Sequence, residues 1–139
     1  DGERRAALGE VLVYQGVALA RLDRTQEAAA ATRRGLSILE TEVAKPEQSA
    51  SLLQRTARCY LLTLPSELRK PRAALTLLDR NRDEEKDENF LQLALRAEAA
   101  AELGAPTEAA ALARKAMTLT SAKENMNEWK RLQRLAALH

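Results

Sequence analysis

Residues that favour β-sheets are scarce in this sequence. Its 139 residues include only four valines, one isoleucine and four aromatic residues, against 27 alanines and 24 leucines. β-Branched and aromatic side chains favour strands, whereas alanine and leucine lose little conformational freedom in a helix. The composition therefore argues against a sheet and predicts an all-α fold, in which alanine lets neighbouring helices approach closely.

Side chains for catalysis and metal binding are also scarce. The chain has one cysteine, Cys59, and one histidine, His139, and its five glycines occur singly. Catalytic triads, zinc sites and phosphate-binding loops need histidines, several cysteines or clustered glycines. We therefore expect that the protein is not an enzyme and that it has no catalytic residue, no metal site and no cofactor. Cys59 stands beside Tyr60 and Leu61 in an apolar helical segment, which indicates a buried structural thiol.

Long apolar runs and an excess of one charge are missing as well. No run approaches the roughly 20 apolar residues that cross a bilayer, and no signal peptide is visible, so we expect no membrane insertion. The net charge is +2, with both signs interleaved and no continuous basic stripe, which disfavours nucleic acid as a partner. The acidic cluster at 83–88 is interpreted as a solvated loop.

A cytoplasmic location is the simplest expectation for such a chain. However, its first residues are Asp1 and Gly2, without a methionine, so the sequence looks excised from a longer protein whose targeting segment is absent. A periplasmic location, or the extracytoplasmic part of a membrane-anchored protein, therefore stays open.

Apolar residues recur at helical spacing, and turn residues separate them into seven segments. This pattern predicts seven helices joined mostly by short turns, which places consecutive helices side by side. In the first helix, steps of three and four residues mark one face, which consists of Leu8, Leu12, Gln15/Gly16, Leu19 and Leu22. The predicted helices span about 3–22, 28–39, 50–64, 71–80, 87–103, 106–119 and 122–138.

Local signals mark where several of these helices begin or end. Serine and threonine side chains cap helix N-termini, proline fits a first turn because its missing N–H would be unpaired there, and glycine adopts the left-handed conformation that stops a helix. These signals predict N-caps at Thr25 and Ser121, first-turn prolines at Pro71 and Pro106, and a helix stop at Gly104.

Small residues recur at corresponding places in three successive helix pairs. One lies mid-way along the first helix of a pair, and others lie early or late in the second helix. Two helices that cross at a steep angle need a small side chain where they cross, so the recurrence predicts repeated hairpins, with an alanine-rich bundle without repeats as the alternative. The residues are Gly16, Ala28 and Gly35, then Ala57 and Ala74, then Ala97, Ala109 and Ala116.

In this pattern the chain resembles the tetratricopeptide repeat, a helix–turn–helix unit of about 34 residues. The interval from Ala74 to Ala109 fits that length, and the interval from Ala28 to Ala74 is longer. The resemblance implies a right-handed helix–turn–helix solenoid of about three hairpins with a C-terminal capping helix. It implies a single domain, 1–139, with repeats at about 8–41, 50–82 and 89–120 and the capping helix at about 122–138.

Non-catalytic protein binding is the function that the resemblance implies. In tetratricopeptide stacks the first helices of the repeats line a concave groove, which would take a peptide from a partner protein. The connection at 64–75 loosely resembles the tetratricopeptide tails of bacterial serine/threonine protein kinases, which implies part of a larger regulatory protein. Ordinary surface, or cover by the last helix, is the alternative for the groove positions. They are Val13, Val17, Arg21, Gln54, Arg58, Leu61, Leu91, Ala94, Glu98 and Glu102.

Two other functions stay open on the sequence. The seventh helix carries Trp129, Leu132 and Leu135 on one face, which either caps the stack or joins two copies of the chain in a homodimer. The third hypothesis is a regulatory domain that binds a small ligand, although the sequence shows no convergent set of polar residues for one.

Overall fold

The computed structural model describes residues 1–80, 89–119 and 126–138, and within them every regular element is helical. This confirms the all-α prediction. The acidic cluster at 83–88, the cap expected at Ser121 and the histidine at position 139 lie outside the described residues. The elements are α1 (Gly2–Arg21), α2 (Thr25–Val43), α3 (Ala50–Leu62), a short 3₁₀ helix (Ser66–Leu68), α4 (Pro71–Arg80), α5 (Phe90–Glu102), α6 (Pro106–Met117) and α7 (Met126–Ala136).

The chain divides into two compact units, Asp1–Leu77 and Leu78–His139. In the first unit, α1 and α2 form a long helix pair, and α3 contacts both of them. In the second unit, α5 and α6 form a pair, and α7 packs against both. Helices that follow each other closely in the sequence are therefore packed as neighbours, as short turns predict.

Glycine residues determine how closely α1 and α2 approach. A Cβ atom on Gly16 would lie 2.0 Å from Thr32 Oγ1, and a Cβ atom on Gly35 would lie 2.7 Å from the carbonyl oxygen of Gly9. These distances are too short for any side chain larger than hydrogen, so the two backbones meet where the small residues are. The first helix pair therefore depends on its glycines for its tight packing.

The buried face of α1 differs from the predicted one at both ends. Leu8 and Leu22 are 45% and 67% exposed, whereas Leu12 is buried as predicted. The reason is that Gly9 and Gly16, two helical turns apart, face α2 and rotate the contact surface away from these two leucines. Of the residues predicted on one face of this helix, Leu12 and Gly16 are therefore buried, and Leu8 and Leu22 are not.

The connection between α3 and α4 is an ordered structure rather than a plain loop. Its 3₁₀ helix is preceded by Leu64, whose carbonyl oxygen accepts a hydrogen bond from Thr32 Oγ1 on α2 at 2.7 Å. Arg69 Nε donates to the carbonyl oxygen of Thr63 at 2.8 Å. The first bond holds the connection against α2, and the second joins its two ends to each other. The sequence predicted only the length of this connection.

The local signals predicted most helix ends but not all of them. Pro71 and Pro106 are the first residues of α4 and α6, as predicted, and Gly104 follows α5 with φ of +78°. The N-cap expected at Thr25 is wrong, because this residue is already helical and Arg24 occupies the cap position without a side-chain hydrogen bond. The first N–H groups of α2 therefore have no side-chain cap.

The second unit has an alanine-rich core between α5, α6 and α7. Asn89 caps α5 by accepting a hydrogen bond from the Gln92 N–H at 2.8 Å, so the helix begins later than predicted. Arg96 on α5 forms an ion pair with Asp79 at 2.7 Å. Alanine at the contacts lets α5 and α6 lie close together. The core cluster consists of Leu93, Ala94, Ala97, Ala113, Ala116 and Leu132.

Candidate protein-binding surface

An exposed surface formed by α1 and α3 is the best candidate site in the first unit. The two helices contact each other, and Arg55 Nε on α3 lies 2.9 Å from Glu10 Oε1 on α1 in an ion pair that joins them. Their outward side chains lie at steps of three and four residues, which places them along one side of each helix. We call this surface the α1–α3 face; it consists of Tyr14, Val17, Arg21, Gln54, Arg55 and Arg58.

The α1–α3 face combines positive charge with an exposed aromatic ring. Tyr14 is 46% exposed, Arg21 and Arg55 are exposed, and Arg58 is half-buried. Within the described residues Arg21 forms no ion pair, and Glu10 is the acidic partner of Arg55. The face therefore has net positive charge beside apolar surface, and it would attract an acidic segment that also carries an apolar side chain.

Four of the six groove residues predicted in the first unit keep accessible surface, and two do not. Val13 is completely buried, because its side chain lies against Gly35 in the α1–α2 contact. Leu61 is also buried. It lies on the inner side of α3, one turn after Ala57 and two turns after Leu53. Neither side chain can line an open groove, so the prediction is corrected at these two positions. The accessible residues are Val17, Arg21, Gln54 and Arg58.

The groove residues predicted in the second unit are partly covered by its own last helix. Arg131 Nη1 on α7 lies 3.4 Å from Glu98 Oε1 on α5, so α7 reaches over this part of α5. Ala94 is buried in the core, which corrects its prediction as a groove residue. Leu91 is half-buried, and Glu102 is exposed. Cover by the last helix, the alternative left open on the sequence, therefore applies at Glu98.

The face of α7 that was predicted as a possible dimer contact points into the second unit. Leu132 is only 1% exposed and belongs to the alanine-rich core. Leu135 packs against the same core, and Trp129 is half-buried. Since Leu132 already has its apolar contacts within the chain, it is not available to a second copy, and this part of the prediction is corrected.

Exposed apolar residues on α1 were missed on the sequence. Val11 is 61% exposed and Tyr14 is 46% exposed, and both lie on the side of the helix away from α2. The signal that could have found them is the spacing of Gly9 and Gly16, which marks the side of closest helix contact. Residues on the opposite side of such a helix are expected to face outwards.

Cys59 confirms the prediction of a buried structural thiol. Burial raises the pKa of the Cys59 thiol to about 12, and the nearby carboxylate of Glu10 adds to the increase. A thiol with so high a pKa has almost no thiolate at neutral pH and is a poor nucleophile. Across residues 1–80, 89–119 and 126–138, no three His, Cys, Asp or Glu side chains are arranged to hold a metal ion.

None of the helices in the described part of the chain is both long and apolar enough to span a bilayer. Comparison with known proteins found no matching family model, no matching curated protein and no matching solved structure. The likeness to tetratricopeptide repeats therefore depends on the recurring small residues of the sequence, and the case for a binding surface depends on the exposed side chains of the first unit.

Proposed function

We propose that this chain is a non-catalytic interaction module that binds an acidic segment of a partner protein on the α1–α3 face. The observation that carries the proposal is an exposed tyrosine and an exposed arginine on α1, Tyr14 and Arg21, together with Arg55 and Arg58 on α3, which an ion pair joins to α1. Tyrosine and arginine are the residue types most enriched at the energetic centres of protein interfaces.

The chemistry of the face favours one kind of partner segment. Carboxylate side chains would pair with Arg21 and Arg58, whose guanidinium groups suit bidentate contacts with carboxylates. An apolar side chain next to them would cover Tyr14 and Val17 and remove their apolar surface from water. A segment that alternates acidic and apolar residues satisfies both requirements, whereas a basic segment would be repelled.

The experiment is a titration of the whole chain with a short labelled peptide of alternating glutamate and leucine, followed by fluorescence anisotropy. Replacement of Arg58 by Glu, or of Arg21 by Glu, should weaken binding about fivefold or more, because an attraction becomes a repulsion. A peptide with lysine in place of glutamate should bind more weakly to the unchanged protein.

The matched control is Arg34→Glu, which reverses an exposed arginine on α2, away from the α1–α3 face. It should leave the affinity for the peptide unchanged after correction for the small change in net charge. Thermal unfolding of each variant, followed by circular dichroism, shows that the fold is retained. Equal affinity of the unchanged protein, Arg21→Glu and Arg58→Glu would exclude the face as the binding site.

The proposal also covers the repeat family of this module and the kind of protein to which it belongs. Recurring small residues support a tetratricopeptide-type repeat domain, and the ordered connection between α3 and α4 is compatible with the widened hairpin that such domains have in bacterial serine/threonine kinases. A cytoplasmic regulatory protein is the setting that fits a binding module of this kind. The repeat assignment is tested by the rest of the gene product, which should contain further helical pairs or a signalling domain.

A further inference from the structure

A cavity of about 330 Å³ lies in the first unit between α2 and the segment that contains the 3₁₀ helix, and none of its lining residues belongs to the α1–α3 face. One wall belongs to α2, and the other belongs to the 3₁₀ helix and the residues that follow it. Ligand pockets have volumes of roughly 300–1,000 Å³, so this cavity suits a ligand at the small end of that range.

Some of the charged side chains that line the two walls form an ion pair, and others do not. Lys70 Nζ and Glu40 Oε1 are 2.5 Å apart and neutralise each other. Arg33 on the α2 wall and Glu67 on the 3₁₀ wall form no ion pair or hydrogen bond with any described residue, and they do not pair with each other. Arg69, the third cation of the lining, already donates to the carbonyl oxygen of Thr63. Arg33 and Glu67 are therefore the one cation and the one carboxylate of the lining that have no partner among the described residues, and they lie on opposite walls.

Apolar surface lies with these charges in the same cavity. Leu36 on α2 is almost completely buried, and Leu68 on the 3₁₀ helix is half-buried. The 3₁₀ wall is held in place by the hydrogen bonds of Thr32 to Leu64 and of Arg69 to Thr63. Because these bonds are already formed, little ordering of the wall is needed when a ligand binds.

We propose that this cavity binds a free α-amino acid with an aliphatic side chain. Its carboxylate would pair with Arg33, its ammonium group would pair with Glu67, and its side chain would lie on Leu36 and Leu68. A simple anion would leave Glu67 without a partner, and a simple cation would leave Arg33 without one. A compact molecule with both charges and an apolar body is the ligand whose chemistry matches all four side chains.

The experiment uses the whole chain and three related probes, with binding followed through backbone amide shifts in two-dimensional NMR. L-Leucine carries both charges, N-acetyl-L-leucine lacks the ammonium charge, and L-leucinamide lacks the carboxylate. Leucine should shift the amides of 33–40 and 66–70, and each of the other probes should bind about tenfold more weakly, because one charged hydrogen-bonded pair is lost.

Variants assign each charge to its residue. In Arg33→Gln, leucine and leucinamide should bind equally, and in Glu67→Gln, leucine and N-acetyl-leucine should bind equally. The control Arg34→Gln removes a neighbouring exposed arginine that does not line the cavity, and it should keep the full preference for leucine. Failure of leucine to shift the cavity amides, or an unchanged preference in Arg33→Gln, would overturn the proposal. Neither outcome affects the α1–α3 face, which lies elsewhere in the unit.

Discussion

Glu42 is a buried carboxylate in the part of α2 that extends beyond the predicted helix end at about residue 39. It lies near the end of α2, where Lys45 Nζ and Arg5 Nε approach its Oε2 atom to 2.9 Å and 3.1 Å. The hydrogen bond from Lys45 holds the pKa of Glu42 below its ordinary value; burial acts in the opposite direction, and Arg5 adds to the decrease. Lys45 lies only three residues after Glu42, but Arg5 lies on α1, far away in the sequence, so the sequence alone did not show the cluster of three.

The lowered pKa of Glu42 predicts a loss of stability in acid. A carboxylate whose pKa is lower in the folded state stabilises the fold above its unfolded pKa of 4.5, and this contribution disappears as the pH falls through the folded pKa. Glu42→Gln should therefore destabilise the protein at neutral pH, and the difference should shrink below pH 4.5. Urea unfolding of both proteins over this pH range measures it. A difference that does not change with pH would contradict the assignment.

Replacement of Gly16 by alanine tests how much the close contact between α1 and α2 contributes to stability. Alanine has the better intrinsic helix propensity, by about 1 kcal/mol, but its Cβ would lie 2.0 Å from Thr32 Oγ1. Overpacking a close contact costs about 1–3 kcal/mol, so Gly16→Ala should lower the free energy of unfolding. Chemical denaturation measures the change, and Gln15→Ala on the exposed side of α1 is the control. A stabilised Gly16→Ala variant would show that the helices can move apart at little cost.

Elements with strong local signals were predictable, and those that depend on tertiary contacts were not. Pro71, Pro106 and Gly104 act within their own turns, so their effect on helix ends is visible in the sequence. The 3₁₀ helix depends on the bond from Thr32 to Leu64, which joins residues far apart in the chain. For the same reason the cavity beside α2 could not be predicted, because its second wall is this 3₁₀ helix.

A substitution in the last helix, α7, should change the stability of the protein without changing its self-association. Leu132 on α7 is buried in the core of the second unit, so Leu132→Ala should destabilise that unit by about 2–5 kcal/mol. It should not change the molecular mass in solution, because this side chain is not exposed to a second copy. Thermal unfolding and light scattering measure the two effects. The exposed Leu138 provides the control, Leu138→Ala, and a change of mass in Leu132→Ala alone would contradict the packing of α7.

At the scale of the whole molecule, the order of the α-helices found in residues 1–80, 89–119 and 126–138 followed from the sequence, but the grouping into two compact units did not. Helix periodicity reports which side of a helix is apolar, not which distant helix covers it. The site shows the same limit. Gln54 and Arg58, which were predicted as groove residues, keep accessible surface because the opposite side of α3 is strongly apolar. Val13 does not, because its burial depends on the approach of Gly35 from α2.

The location of the binding surface is tested most directly by mapping backbone amide shifts in the whole chain as the glutamate–leucine peptide is added. The account predicts that the largest shifts lie along α1 and α3, around Tyr14, Arg21 and Arg58, while α6 and α7 stay unchanged. Shifts concentrated on α5 to α7, or spread evenly over both units, would contradict it.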